Sequence, residues 1–337
     1  MKSSTVASIF VINMLQGAKD QGYNVRQLLL DNGISPNILE QPKSRITFPQ
    51  LARLGQSLIE LMDDEYCGLL EHPQRQNTYR MACYAALHAM DIGEAVTIML
   101  EFSNLFENSL QYSLIQEEGF TGIRLTRRTG SGIKNNYAIE YILVTIHRTL
   151  NWLANAQLRL VRVDLDYPAP SYQSEYRYLF YAAPMSFRQQ YSALIFSDSS
   201  MRLKNVRKIQ ELEDFLDQTP ITLLSQIVSP PGLSSQVRAW LERQLSEQRC
   251  APGIDSAAAH FRLHPQTLRR HLMKEGVSYK QIKMEARRDL AINLINNQQH
   301  NIESIAFLLD FSEPAAFIRA FTSWTGLTPL AYRKMSL

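Results

Sequence analysis

The sequence predicts an α+β N-terminal domain, helices with a small antiparallel sheet, joined to an all-α C-terminal domain with two helix-turn-helix motifs. Three observations carry this expectation. The first two thirds of the chain mix helical periodicity with β-branched runs. After Ser229-Pro230-Pro231-Gly232 only helical patterns follow, and those patterns repeat once. The Pro-Pro-Gly stretch suits neither a helix nor a strand interior. It divides the chain into 1–205, a helical linker 206–231, and 232–337. A length of 337 residues exceeds what one core usually serves, which agrees with that division.

In the N-terminal domain, apolar spacing places helices near 5–32, 47–62, 79–91, 92–106, 135–155 and 207–227. Strands follow from "LQYSLIQEE", "GFTGIRLTRR", "LRLVRVDLDY" and "SALIFS". Glu118-Gly119 turns the first two into a hairpin. The most apolar stretch, around Tyr141 to Leu153, is interrupted by His147, Arg148 and Asn151, so no membrane span is expected. The N-terminus lacks an A-x-A-like cleavage site, and Cys67, Cys83 and Cys250 show no paired spacing. The expected setting is a reducing cytoplasm. Hydrophobic content of 45% and charged content of 20% exclude a disordered or fibrous chain.

The C-terminal domain predicts helices near 234–248, 254–262, 265–275, 279–297, 302–309 and 313–325. Two units within it match. Ile254, Ala258, Phe261, Leu263, Leu268 and Leu272 correspond to Ile302, Ala306, Leu309, Phe311, Phe317 and Phe321. Each unit is a short helix, a tight turn, and a second helix held by an i, i+4 apolar pair. His264 and Ser312 are the expected N-caps, each followed by a proline in the first turn.

With the apolar pair buried, the opposite face points outward. It presents Gln266, Arg269 and Arg270 in the first unit, and Pro314, Ala315 and Arg319 in the second. Gln and Arg pair with adenine and guanine edges in a major groove, and a small apolar group meets a thymine methyl. The connecting helix of about 19 residues spans about 29 Å, close to the 34 Å or so between successive major grooves on one DNA face. The charge distribution agrees. From Pro231 onward there are 14 cations and 9 anions, against 21 and 23 before it. Arg262, Lys274, Lys280, Lys283, Arg287, Arg333 and Lys334 are the expected phosphate contacts.

The segments "HPQTLRRHLMKEGVSYKQI" and "IAFLLDFSEPAAFIRAFTSWTGLTPLAYR" resemble the two-motif DNA-binding domain of AraC/XylS-type bacterial transcription regulators. That resemblance places base readout on the same six positions. It departs from the family where glycine is common in each turn, since Arg262 and Asp310 stand there. "YRMACYAALHAMDIGEAVTIMLEFSNLF" and the hairpin after it resemble, more loosely, the helical effector domain of the ornithine-regulator-like branch. The resemblance implies double-stranded promoter DNA and a small-molecule effector as partners, a homodimer, and RNA polymerase contact if the protein activates.

Arg80, Tyr84 and His88, at i, i+4 and i+8, form a stripe suited to an anionic or amphipathic ligand, with Tyr112 and Arg124 as weaker pocket candidates. Gly130-Ser131-Gly132 lacks the spacing of a phosphate-binding loop. His260, His264 and Cys250 lack a properly spaced fourth ligand, so neither a metal nor a cofactor is expected. Two alternatives stand beside the regulator. One is an Ada-like DNA-repair alkyltransferase, for which no cysteine has the Pro-Cys-His-Arg setting; no other catalytic constellation is present, and no enzyme is expected. The other is a helical interaction protein that does not bind DNA.

Overall fold

The computed structural model describes residues 5–41, 44–128, 130, 132–217, 219 and 232–335. The chain opens with β1 (Thr5–Ala7), α1 (Ser8–Met14), α2 (Gln16–Asp20), α3 (Val25–Asp31), β2 (Arg45–Thr47) and α4 (Phe48–Met62). Next come α5 (Thr78–Leu87), α6 (Ile92–Asn104), β3 (Leu110–Glu117), β4 (Phe120–Arg127) and α7 (Tyr137–Leu153). Then follow β5 (Leu160–Asp164), α8 (Tyr176–Leu179), β6 (Met185–Ser186), β7 (Ser192–Ser197), α9 (Asp198–Met201) and α10 (Ile209–Asp217). The C-terminal helices are α11 (Leu233–Gln248), α12 (Ile254–His260), α13 (Pro265–Lys274) and α14 (Tyr279–Asn297). They continue with α15 (Ile302–Leu308), α16 (Pro314–Thr325) and α17 (Pro329–Met335).

Two compact units emerge. A sheet unit holds the described residues of Phe10–Val25 and Ala52–Ile227. A reader unit holds those of Met1–Ile9, Arg26–Leu51 and Val228–Leu337. The division at 205 and 231 kept all of 1–205 together, whereas β1 and β2 cluster with the C-terminal helices. The reason lies in contacts far apart in sequence: Thr5 Oγ1 donates to Asp289 at 2.6 Å and the Tyr332 hydroxyl donates to the Arg45 carbonyl. Within the linker, α10 ends at Asp217; 218 and 220–231, including the Pro-Pro stretch, lie outside the described residues.

The α+β reading holds for the sheet unit. Its five strands run in the order β3-β4-β7-β5-β6. All neighbours are antiparallel except β5 and β6, where Val163 and Asp164 pair in parallel with Met185 and Ser186. Gly119 turns the β3–β4 hairpin at φ +79, a backbone conformation that favours glycine. Helix α7 is buried along most of its length. Ile139, Leu143 and Leu150 join Ile123, Leu194 and Phe196 of the sheet in one core. Its polar residues are accommodated inside that core. Burial pushes the His147 imidazole down to about 3, so it is neutral, and its Nε2 lies 2.9 Å from the Leu158 carbonyl. Arg148 lies 4.0 Å over the Tyr181 ring and donates to the carbonyls of Tyr178 and Leu179. Among the described residues no helix is long and apolar enough to cross a membrane.

In the reader unit both predicted tight turns form, and by the same device. Leading helices α12 and α15 close on a left-handed residue, Arg262 at φ 53 and Asp310 at φ 62. Leu263 N then reaches back to the Ala258 carbonyl at 2.8 Å, and Phe311 N to the Ala306 carbonyl at 3.0 Å. The two positions are not equivalent. The Asp310 carboxylate accepts from Ala251 N at 3.0 Å and from Arg287 at 3.2 Å. Arg262 is exposed, with no side-chain partner among the described residues to offset the strain. The expected result is that Arg262→Gly raises the urea midpoint of the full chain by up to about 1 kcal/mol equivalent. Asp310→Gly should lower it despite relieving the same backbone strain.

Candidate functional site

The rotation of the reading helices is set by what they bury. In α13, Leu268 and Leu272 are wholly inaccessible and pack with Val237, Leu241 and Ala258. In α16, Phe317 and Phe321 are equally buried, among Ile292, Ile305 and Tyr332. The rings of Phe317 and Phe321 lie 5.7 Å apart, and Phe321 meets Tyr332 edge-on at 5.4 Å. Helical geometry then fixes the other face. Gln266, Arg269 and Arg270 are exposed on α13, as are Ala315 and Arg319 on α16; Pro314 is half-buried.

His264 caps α13 as expected, with Nδ1 accepting from Gln266 N at 3.3 Å. Ser312 does not cap α16. Glu313 is the N-cap, in extended backbone at φ −147 directly before Pro314, just as His264 directly precedes Pro265. The Glu313 carboxylate makes no cap bond and instead accepts from Arg319 at 3.0 Å. Both side chains are more than half exposed, so water and salt screen this pair and it restrains Arg319 weakly.

The expected phosphate contacts divide into two groups. Arg262, Lys274, Lys280 and Lys334 are exposed. Three others are bound up in the fold. Lys283 donates to the carbonyls of Ala251 and Pro252, and Arg333 to the His300 carbonyl at 2.6 Å. Arg287 donates to the Asp310 carbonyl at 2.8 Å and lies 4.7 Å from the centre of the Phe311 ring. These three cations tie α14 and the C-terminal helix to loops and a turn.

Helix α14 is the connecting helix, 19 residues as expected, and it packs against α11, α15, α16, α17 and β2. Asp289 is its buried anchor. It accepts from Arg238 of α11 at 2.6 Å, from Arg288 at 3.0 Å and from Thr5 at 2.6 Å. Arg45 of β2 in turn donates to Thr5 Oγ1 at 2.8 Å. Burial alone would push the Asp289 carboxyl up. Arg288, Arg238 and Arg45, with the Thr5 hydrogen bond, outweigh it and hold the carboxyl at about 2.

The sheet unit contains a cavity of about 590 Å³, walled by α4, α5, α6, β3, α7 and α10. This size lies within the range of small-molecule sites. Met99, Phe102, Ile142 and Leu216 supply apolar wall, and Tyr66, Tyr79, Tyr112 and Tyr141 supply aromatic wall. Of the five residues expected at a pocket, Arg80 and Tyr112 line it. Tyr84, His88 and Arg124 are not among its lining residues. The stripe on α5 is covered by α10: Arg80 donates to Glu213 at 2.5 Å and to Asp217 at 2.8 Å, and the Tyr84 hydroxyl bonds Glu213. His88 is exposed at the end of α5. Arg124 donates to Ser113 Oγ at 2.8 Å and sits 5.4 Å over Tyr191.

Sequence reasoning missed Glu65 and three of the four tyrosines in this wall. Glu65 stands in an irregular turn with no periodic signal. Tyr141 and Thr145, i and i+4 on α7, were the one readable pattern.

A duplicated helix-turn-helix motif in one unit and a ligand-sized cavity in the other define a DNA-binding transcription regulator with an effector domain. Residues 22–205 match the family described as the arabinose-binding N-terminal domain of AraC transcription regulators, and residues 257–335 match a helix-turn-helix domain family. The first match spans more than half of the chain, which therefore belongs to the AraC family. The chain is similar to the ornithine utilization regulator of Pseudomonas aeruginosa, at 28% identity over 92% of this chain and 91% of the other. It is also similar to the urease operon transcriptional activator of Escherichia coli, at 31% identity over 25% of this chain and 28% of that one. Among solved structures, transcriptional regulator CdpR from P. aeruginosa aligns over 77% of this chain and 84% of its own. That alignment has 20% identity and a TM-score of 0.32.

Asp289→Asn should cost about 3 kcal/mol at pH 7 in urea unfolding, because buried Arg288 and Arg45 lose a nearby counter-charge and Arg238 is left with Glu242 and Glu285. A carboxyl depressed from 3.8 to about 2 contributes stability that is complete above its unfolded range and is lost as pH falls through its folded one. The difference between wild type and variant should shrink on that descent. Equal midpoints at pH 7 would contradict the assignment.

Proposed function

We propose that this chain is a sequence-specific regulator, and not an enzyme, whose helices α13 and α16 enter successive major grooves of promoter DNA. Gln266, Arg269 and Arg270 read base edges in one groove. Arg319 reads in the next, with Pro314 and Ala315 giving a close apolar approach to a thymine methyl. Arg262, Lys274, Lys280 and Lys334 neutralise phosphates and set register. The observation that carries this reading is the pair of wholly buried residues on each helix opposite an exposed face, with Gln266, Arg269 and Arg270 on α13 and Arg319 on α16.

On this reading residues 1–205 sense the effector and support a homodimer, 206–231 link, and 232–337 bind DNA. Work on a promoter places the protein in the cytoplasm, and an activating role adds contact with RNA polymerase. The effector acts by linkage: it binds one arrangement of the protein more tightly and so shifts the population that is competent for DNA. The P. aeruginosa relative is named for ornithine utilization, so ornithine heads the compounds to test.

Base and phosphate contacts separate in a binding assay. Arg269→Ala and Arg319→Ala should each weaken promoter binding by about 1–3 kcal/mol while leaving binding to scrambled DNA nearly unchanged. Lys274→Ala should weaken both alike and lower the salt slope by about 1. Equal losses on both DNAs for the two arginine variants would refute base readout.

A further inference from the structure

The sign of the charge that the cavity accepts follows from which of its wall residues already have a counter-charge. Arg80 suggests an anion from sequence alone, but its guanidinium is held between Glu213 and Asp217. Its charge is therefore neutralised, and Asp217 with it. Two charged lining residues remain without an ion pair among the described residues, Arg53 and Glu65. Arg53 is exposed, so solvent screens it. Glu65 is half-buried in the turn before Tyr66.

The Glu65 carboxylate accepts from Tyr79 N at 2.9 Å and from Gln74 Nε2 at 3.1 Å, both neutral donors. Burial pushes this carboxyl up to about 7, against those hydrogen bonds. A carboxylate in that setting gains from a cation. The rings around it are suited to one. Tyr66 and Tyr141 lie edge to face with centroids 6.3 Å apart, and Tyr79 and Tyr112 complete the aromatic wall. Burial raises the hydroxyls of all four tyrosines above their ordinary range, so the rings stay neutral and keep their negative faces. Neutral aromatic faces around a carboxylate attract an ammonium group.

We propose that the effector of this chain is an organic amine, whose ammonium pairs with Glu65 among the four tyrosines while its apolar body lies against Met99, Phe102 and Ile142. This rests on the cavity being the effector site. Glu65 selects charge, and the remainder of the wall accepts bulk.

The test is calorimetric titration of the full-length protein with three probes of similar shape: 2-phenylethylamine, 3-phenylpropanoate and 2-phenylethanol. Glu65→Gln keeps the hydrogen-bond acceptor and removes the charge. Ser103→Trp fills the cavity from α6, with circular dichroism and thermal melting to confirm its fold. The expected result is amine binding that each variant weakens at least tenfold, with the acid and the alcohol binding at least tenfold more weakly than the amine. Acid or alcohol binding that Ser103→Trp removes and Glu65→Gln leaves intact would overturn the amine assignment while keeping the cavity as a ligand site. Amine binding indifferent to Glu65→Gln would do the same. No binding by any probe, or binding indifferent to Ser103→Trp, would overturn the cavity reading itself.

Discussion

Two apolar pairs orient the exposed faces of α13 and α16 in this molecule. Leu268 with Leu272, and Phe317 with Phe321, leave no exposed surface. Each buried side chain of this size is worth about 1.5–3 kcal/mol relative to exposure, far more than any single exposed polar contact on the same helix. The helices therefore cannot rotate to bury Arg269 or Arg319 without losing several kcal/mol. On the proposed reading, a base edge needs a side chain held in a fixed direction, and the hydrophobic core fixes the direction of these exposed faces. Arg319 shows the principle well. Its partner Glu313 is itself exposed and holds it weakly.

A second constraint keeps the two motifs at a fixed separation. Helix α14 carries Ala286 into the core of the first motif and Ala291, Ile292 and Ile295 into that of the second. Between those sets sits Asp289, gathered by Arg238, Arg288 and the Thr5–Arg45 relay. Buried ion clusters of this kind contribute little net stability over an apolar replacement, yet breaking one is costly. The role that suits this cluster is registration of α14, α11 and the β1–β2 ribbon. Arg287 adds a tie by bonding the turn residue Asp310.

Much of this was legible in the sequence because it is local. The boundaries of α14 matched outright, and those of α12, α13, α15 and α16 to within one or two residues, since i, i+4 apolar spacing and Pro at the first helical position are local signals. The strands β3, β4, β5 and β7 were visible for the same reason. The N-cap of α16 was misplaced by one residue because Ser is the better capping residue, although the 49-residue offset from His264 points to Glu313. What stayed hidden depends on contacts far apart in the chain. The β1–β2 ribbon joins the reader unit through partners more than 280 residues distant. Arg80 read as a free cation because Glu213 and Asp217 lie more than 130 residues away. Lys283, Arg287 and Arg333 read as phosphate contacts because composition records charge and not whether a carbonyl already holds it.

The charge ledger of the sheet unit has the same character. Glu140, at 1% exposure, accepts from the Tyr172 and Tyr176 hydroxyls through Oε1. Among the described residues Glu65 has only neutral donors, and it lines a cavity. The two carboxyls are both pushed to about 7 by burial, but one is enclosed and the other is open to a ligand. The measurement that bears most directly on the whole account is a methylation-interference footprint of the full-length protein on its promoter. Two major-groove patches on one face of the duplex, about 10 base pairs apart for each chain, are the predicted result. A single patch, or two on opposite faces, would contradict it.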